Sequence, residues 1–415
     1  MKILDVTEFY SERGGGVRSH LSQKSQAACQ LGDEHIVVAP GPRDEDILLS
    51  DSPSGVAESP PGVNVSTHRG QARLVRLAGP SLPYDPTYHL LWRVDRIRAL
   101  VKKERPDVLG IHSPYVAAAA AISVPRAHFG ARVFTWHSDF IDTYLRVMLE
   151  RHASPRLAST ALEPLWAMVR GIARACDATF VASRWQAEKL TSHGIARVVQ
   201  VPFGIERGIF HQVKRSEERR RALLGAGRET WSLLVGVGRF AVEKRWDVVI
   251  DAFMKLRASK NAVLVLFGDG PERAKMEALV KGRDDVVFVG FERDRARLAE
   301  ALASADALVH GCPYETFGLS IAEAMSCGLP VVVPDEGGAA EMVDDASGET
   351  YASLDVDDCV RAITRLLARD ARALREGALD AAARLPDVRE QFARTFDAYR
   401  ALLPEAQHQS ARRAT

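Results

Sequence analysis

Cysteine is scarce and scattered: Cys29, Cys176, Cys312, Cys327 and Cys359 are the only five in 415 residues, and no C-x-x-C pair occurs. Neither a disulfide framework nor a zinc site is indicated, which fits a reduced, cytoplasmic setting. Charge of one sign is lacking too. Lys+Arg total 55 against Asp+Glu 54, a net charge of +1, so the strongly basic domain of a nucleic-acid-binding protein is missing. No apolar run approaches the roughly 20 residues of a membrane span. The N-terminal MKILDVTEFY reads as a buried strand and lacks the apolar core of a signal peptide. Internal repeats and low-complexity tracts are also missing. What is present is a globular composition, 46% hydrophobic and 26% charged, and length enough for two domains of roughly 200 residues each.

Short apolar runs alternate with amphipathic segments throughout. KILDV (2–6), HIVVAP (35–40), DVLGIH (107–112), RVFTWH (132–137), ATFVAS (178–183) and RVVQVP (197–202) are strand candidates of the first half. SLLVGVG (232–238), AVLVLFG (262–268), VVFVG (286–290), ALVHG (307–311) and PVVVPD (330–335) restart the pattern in the second half. Strands separated by helical segments predict two doubly wound, mostly parallel α/β domains in series, joined where residues 203–225 turn polar and charged. Ligands of such sheets lie beyond the carboxyl ends of the strands, so a cleft between the domains would collect loops from both. Residues 41–64, rich in Gly, Pro, Ser and Asp, read as a long surface loop. A last amphipathic helix is expected over 387–403, then a polar tail.

Several strand-end stretches carry chemistry. Glu315 and Glu323 frame an apparent helix start in CPYETFGLSIAEAMSCGLPVVVPDEGG (312–338). If the residues between them are helical, they stand about 12 Å apart along the axis and about 80° apart around it. That spacing does not suit a glycosidase acid/base pair, which needs roughly 5–9.5 Å across one bond. It suits two ends of one long ligand, with free helix N–H groups between them for an anion. SERGGGVRSHL (11–21) sets glycines between strand and helix, for an anion contact or a tight turn, but not in the G-x-G-x-x-G spacing. Arg239 and Lys244 follow a strand, as cations for a diphosphate or as a solvated loop. His137 and Asp139 end another in TWHSDF (135–140), and His112 and Ser113 a third, which reads as structural. His20, one turn into its helix, reads as packed or capped. FGDGPER (267–273) and DEGGAAE (335–341) are Gly-rich turns fit for a base, a phosphate or plain turn chemistry.

Together and in this order, these stretches, with VPFGIERGIF (201–210), VVFVGF (286–291) and SG (347–348), resemble the retaining glycosyltransferases of family four over nearly the whole chain. The resemblance implies a GT-B fold of two Rossmann-like domains facing each other across a cleft. Residues 1–205 would bind the acceptor and 206–386 the nucleotide-sugar donor, with 387–403 a helix packing back on the first domain and 404–415 a flexible tail. It implies Glu315 by the donor sugar and Glu323 on ribose hydroxyls. Phe317, Gly318 and Leu319 would supply backbone near sugar and diphosphate, Arg239 and Lys244 would hold the diphosphate, and Gly15 and Gly16 would face it. His137 would contact the donor sugar. Gly238 and Gly268 belong to the donor-side turns, and His20 and Asp139 are acceptor-side candidates. The implied reaction is transfer of a hexose from a nucleotide diphosphate, with retention, without metal or cofactor, the leaving phosphate taking the acceptor's proton.

Two stretches depart from the family pattern: HGCPYE before Glu315 where Pro-Ser is frequent, and Phe203 where Asn is common. FTWHSDFIDTYLR with residues 166–190 resembles the branch containing mannosyltransferases and transferases acting on lipids. A basic amphipathic helix over 90–107, with Arg93, Arg96, Arg98, Lys102 and Lys103, is either a packed helix with a solvated face or a peripheral membrane contact. GDP-mannose and UDP-hexoses fit the same residues as donors. A GT-B epimerase, which would turn over the donor alone, and a non-catalytic nucleotide-sugar binder are the rival readings.

Overall fold

The structure, a computed structural model, describes residues 1–10, 15–49, 70–82, 88–150 and 154–404. Strands β1 (Lys2–Val6), β2 (Glu34–Gly41), β3 (Glu45–Leu48), β4 (Ala72–Ala78), β5 (Val108–Ile111), β6 (Ala131–Thr135), β7 (Ala178–Val181) and β8 (Val198–Gln200) form one sheet. Its order is β3-β4-β2-β1-β5-β6-β7-β8, parallel throughout except for the edge pair β3/β4. Strands β9 (Ser232–Val237), β10 (Ala262–Phe267), β11 (Val286–Gly290), β12 (Ala307–Val309), β13 (Val331–Pro334) and β14 (Gly348–Tyr351) form a second, all-parallel sheet in the order β11-β10-β9-β12-β13-β14. Near-continuous Val and Leu in β9, β10 and β13 reflect burial on both faces by helices. Chain order reverses at β1/β5 and at β9/β12, and the crevices there open toward each other.

Two sequence expectations need correction. Residues 45–48, assigned above to a loop, are an edge strand whose partner β4 buries Ala72, Leu74 and Leu77; the arginines in its ARLVRLA run break the apolar pattern, which hid it. Residues 50–64 of that expected loop, and 405–415 of the expected tail, lie outside the described residues. The basic helix spans only Val94–Glu104, because Arg105 takes a left-handed φ of 48° just before Pro106. The end of the polar 203–225 stretch is a helix, Glu217–Leu224, pinned by Arg220 donating to both Asp306 carboxylate oxygens at 3.0 and 2.8 Å.

The chain crosses between the sheets twice, side by side. Ile205 pairs with Asp387, and a Cβ on Gly204 would meet the Asp387 carbonyl at 2.3 Å, so glycine lets the two crossings touch. Asp387 and Glu390 form a capping box that starts the helix Val388–Leu402. Its Phe392, Phe396 and Tyr399 pack on Ile3, Val108 and Val133 of the first sheet. Among the described residues, no helix is long and apolar enough to cross a membrane.

Candidate active site

A cleft of about 500 Å³ lies between the facing strand ends. From the first domain, the helix Gly16–Gln30 starts at its wall; Gly15, φ 133°, precedes it with no side-chain cap, leaving N–H groups for an anion. Gly14 and the residues before it back to 11 lie outside the described residues. His20 from this helix, His112 from the end of β5 and His137 from the end of β6 converge, with His112 Nδ1 2.7 Å from His137 Nε2. Burial pushes all three imidazoles toward the neutral form.

Behind them lies a carboxylate that sequence reasoning missed. Asp5, fully buried in β1, accepts from Lys24 Nζ at 2.7 Å and faces His35 Nε2 at 2.8 Å, both through Oδ2. Lys24 also donates to Tyr399 Oη at 2.9 Å, tying in the C-terminal helix. The signal was available: a charged residue in the middle of the apolar run KILDV.

From the second domain, Glu315 Oε2 accepts from Lys244 Nζ at 2.5 Å and lies 3.3 Å from His310 Nε2. Although burial acts the other way, the Lys244 ammonium and His310 hold the Glu315 carboxyl well below its usual range, and it stays ionised. Arg239 lines the cleft with its guanidinium 5.8 Å from the Tyr88 ring centre. Phe317, Gly318 and Leu319 line it as well. Gly318, φ 94°, opens the helix Leu319–Ser326 without a side-chain cap, so two helix N-termini converge on one space. The segment 315–318 is therefore not helical, and the two glutamates do not share one helix.

Lys244, Gly238, Gly268, Glu323 and Asp139 stand behind or beside the wall. The Lys244 ammonium backs Glu315. A Cβ on Gly268 would meet the Gly238 carbonyl at 1.9 Å, so these two glycines allow strand-end turns to pack on each other. Glu323, on the helix Leu319–Ser326, has its carboxylate 2.8 Å from the Arg295 guanidinium, which also holds Glu206 at 2.5 Å. Burial outweighs that pairing and pushes the Glu323 carboxyl up to about 7. Asp139 is buried and accepts from Lys189, away from the cleft.

Two contacts clasp the walls. Thr316 Oγ1 donates to the His137 carbonyl at 3.0 Å. Glu341 of the second domain accepts from the backbone N–H groups of Arg184 (3.0 Å) and Trp185, at the N-terminus of the helix Arg184–Ser192. Among the described residues, two clusters bring metal-ligating atoms within 4.8 Å of one another, His20/His112/His137 and His310/Cys312/Glu315. In the first, His112 and His137 are joined by a hydrogen bond, and in the second the Lys244 ammonium is paired with Glu315.

Comparison with known proteins agrees with this architecture. Residues 14–207 match the family described as Glycosyltransferase Family 4, and 226–382 match Glycosyl transferases group 1. The chain is 30% identical over 349 residues, 84% of its length and 83% of the relative's, to a GDP-mannose-dependent alpha-(1-6)-phosphatidylinositol dimannoside mannosyltransferase of Mycobacterium tuberculosis. It is 29% identical, over 90% of both chains, to a GDP-mannose-dependent alpha-mannosyltransferase of Mycolicibacterium smegmatis. Its fold matches sucrose-phosphate synthase of Thermosynechococcus elongatus with a TM-score of 0.73 at 21% identity, covering 97% of this chain and 98% of that one. Sequence and GT-B architecture together place the chain among the glycosyltransferases of family 4, group 1, as a member of that family.

Proposed function

We propose that the protein transfers mannose from GDP-mannose, with retention of configuration, to a hydroxyl of a lipid or glycan acceptor. The observation that carries this reading is the cleft, where two uncapped helix N-termini and Arg239 face an ionised Glu315 and a neutral His137. The choice of donor leans on the two relatives described as GDP-mannose-dependent. A lipid acceptor fits the exposed Leu90 and Trp92 beside the basic helix Val94–Glu104, an arrangement suited to peripheral contact with a membrane.

In this mechanism Arg239 and the helix ends stabilise charge developing on the leaving diphosphate, with the Lys244 ammonium adding its charge from behind Glu315, which removes the need for a metal. Glu315, already ionised, orients the sugar by accepting from its hydroxyls and has no proton to give. The sugar C1–O bond to phosphate breaks as the bond to the acceptor oxygen forms on the same face. The acceptor's proton passes to the departing phosphate oxygen. Glu323 is assigned to the ribose hydroxyls, for which Arg295 must share or yield its carboxylate.

Thermal-shift measurement against GDP, UDP and ADP tests the donor, since a ligand bound only by the folded state stabilises it by about 2.7 kcal/mol at a hundredfold excess over Kd. GDP should raise the midpoint well above the other two. A larger shift with UDP or ADP would overturn the assignment.

A further inference from the structure

Nothing in sheet formation calls for a carboxylate at the centre of β1, and burying one is costly unless it is fully paired. Asp5 Oδ2 is satisfied by Lys24 and His35. Its other oxygen, Oδ1, lies 3.2 Å from His112 Nε2, and among the described residues both atoms are buried without an aligned hydrogen bond, each the nearest polar complement of the other. The space is made by glycine: β1 pairs Asp5 with Gly110 of β5, and a Cβ there would lie 2.0 Å from Oδ1. The sequence thus reserves room for one carboxylate oxygen to meet one histidine.

Proton placement follows from donor and acceptor capacity. An ionised carboxylate only accepts, so His112 Nε2 carries the hydrogen. A neutral ring protonated there has a bare Nδ1, and this nitrogen lies 2.7 Å from His137 Nε2, which must then bring the hydrogen to their bond. His137 is left with Nδ1 bare, on a ring that lines the cleft.

We propose that Asp5 is a positioning residue for sugar transfer: through His112 it fixes His137 as the Nε2–H tautomer, presenting a bare ring nitrogen as acceptor for a donor-sugar hydroxyl. The sugar contact rests on the transfer reading given under Proposed function and on the donor-sugar role that the family resemblance implies for His137; the tautomer does not. Lys24 keeps the arrangement electrically neutral at the carboxylate, and burial keeps His20, His35, His112 and His137 uncharged around it. Such control of one ring nitrogen by the partner of the other is a general property of histidine.

Asn at position 5 should invert the chain of bonds. Lys24 and His35 hold the oxygen end of the amide, which turns its NH2 toward His112 Nε2. His112 then carries its hydrogen on Nδ1, donates to His137 Nε2, and leaves His137 protonated at Nδ1. The experiment is 15N NMR of histidine-labelled full-length protein, together with donor kinetics, on the wild type, Asp5→Asn, and Asp5→Asn/Lys24→Met. The double variant removes both buried charges together, in case the single one does not fold. The expected result is Nε2–H for His137 in the wild type, reversal in the variants, and a loss of about 10- to 100-fold in kcat/KM, the equivalent of one misoriented buried hydrogen bond. An Nδ1–H His137 in the wild type, an unchanged tautomer in folded variants, or reversal without kinetic loss would each overturn the proposal. Failure of the wild type to turn over any nucleotide-mannose would count instead against the transfer reading, because the tautomer is read without substrate.

Discussion

The two walls of the cleft use charge in opposite ways. In the first domain the carboxylate is hidden: Asp5 has 0% exposed side chain and reaches the cleft only through His112 and His137. In the second the carboxylate is at the surface of the site: Glu315 lines the cleft with 18% exposure, and its partner Lys244 is 21% exposed. A buried pair is held in a low-dielectric interior, where removing one partner strands the other. A pair at a wet edge loses less stability but can act on ligand charge directly. The first wall therefore fixes shape and proton position, while the second handles the charge of the reaction.

The strongest attempt to break this contrast is Lys24→Ala. It strands Asp5 in the core and frees the Tyr399 hydroxyl, and it should cost about 3–5 kcal/mol of stability in chemical denaturation. A loss under 1 kcal/mol would mean that water or the neighbouring histidines compensate Asp5, and the first wall would not be a stability element.

Lys244→Ala should do the reverse. Glu315 keeps some solvent and His310 at 3.3 Å, so stability should fall less than in Lys24→Ala. Rate should fall by about 10²–10³ in kcat, the size seen when one preorganised group facing transition-state charge is removed. A large stability loss with an unaltered rate would erase the distinction between the walls.

Legibility in sequence followed the same division. Arg239 and Glu315, which line the cleft, could be singled out from sequence because each follows a strand end within one local motif. Asp5, Lys24, His35, His112 and Tyr399 come from β1, the helix Gly16–Gln30, β2, the end of β5 and the C-terminal helix; the order β2-β1-β5 sets His35, Asp5 and His112 side by side, and Lys24 and Tyr399 reach them from the two helices. Asp139 looked like a site residue by its position after a strand, but Lys189, from a helix later in the chain, takes its carboxylate. Pairing partners distant in sequence are what strand-end reasoning cannot supply. The alternation of β4 failed for a local reason: Arg73 and Arg76 form ion pairs with Glu104 and Glu45, at 2.6 and 3.8 Å, and these look from sequence like solvated charges.

The smallest expected effect concerns Glu323, which belongs to the second wall but is as buried as groups of the first, with 8% side-chain exposure. Desolvation dominates over Arg295, whose guanidinium is shared with Glu206, and moves the carboxyl from 4.5 to about 7. A raised carboxyl favours the folded state most when protonated. Below about pH 4.5 it is protonated folded and unfolded alike; between about 4.5 and 7 only the folded form holds the proton, so stability falls as pH rises and the contribution is gone above about 7. Glu323→Gln cannot titrate and should escape this loss. Urea denaturation at pH 5 and pH 8 should show the variant gaining on the wild type by on the order of 1–3 kcal/mol at the higher pH. Parallel curves would mean that Arg295 holds Glu323 ionised throughout, as Lys244 holds Glu315, and the second wall would then be charged along its whole length.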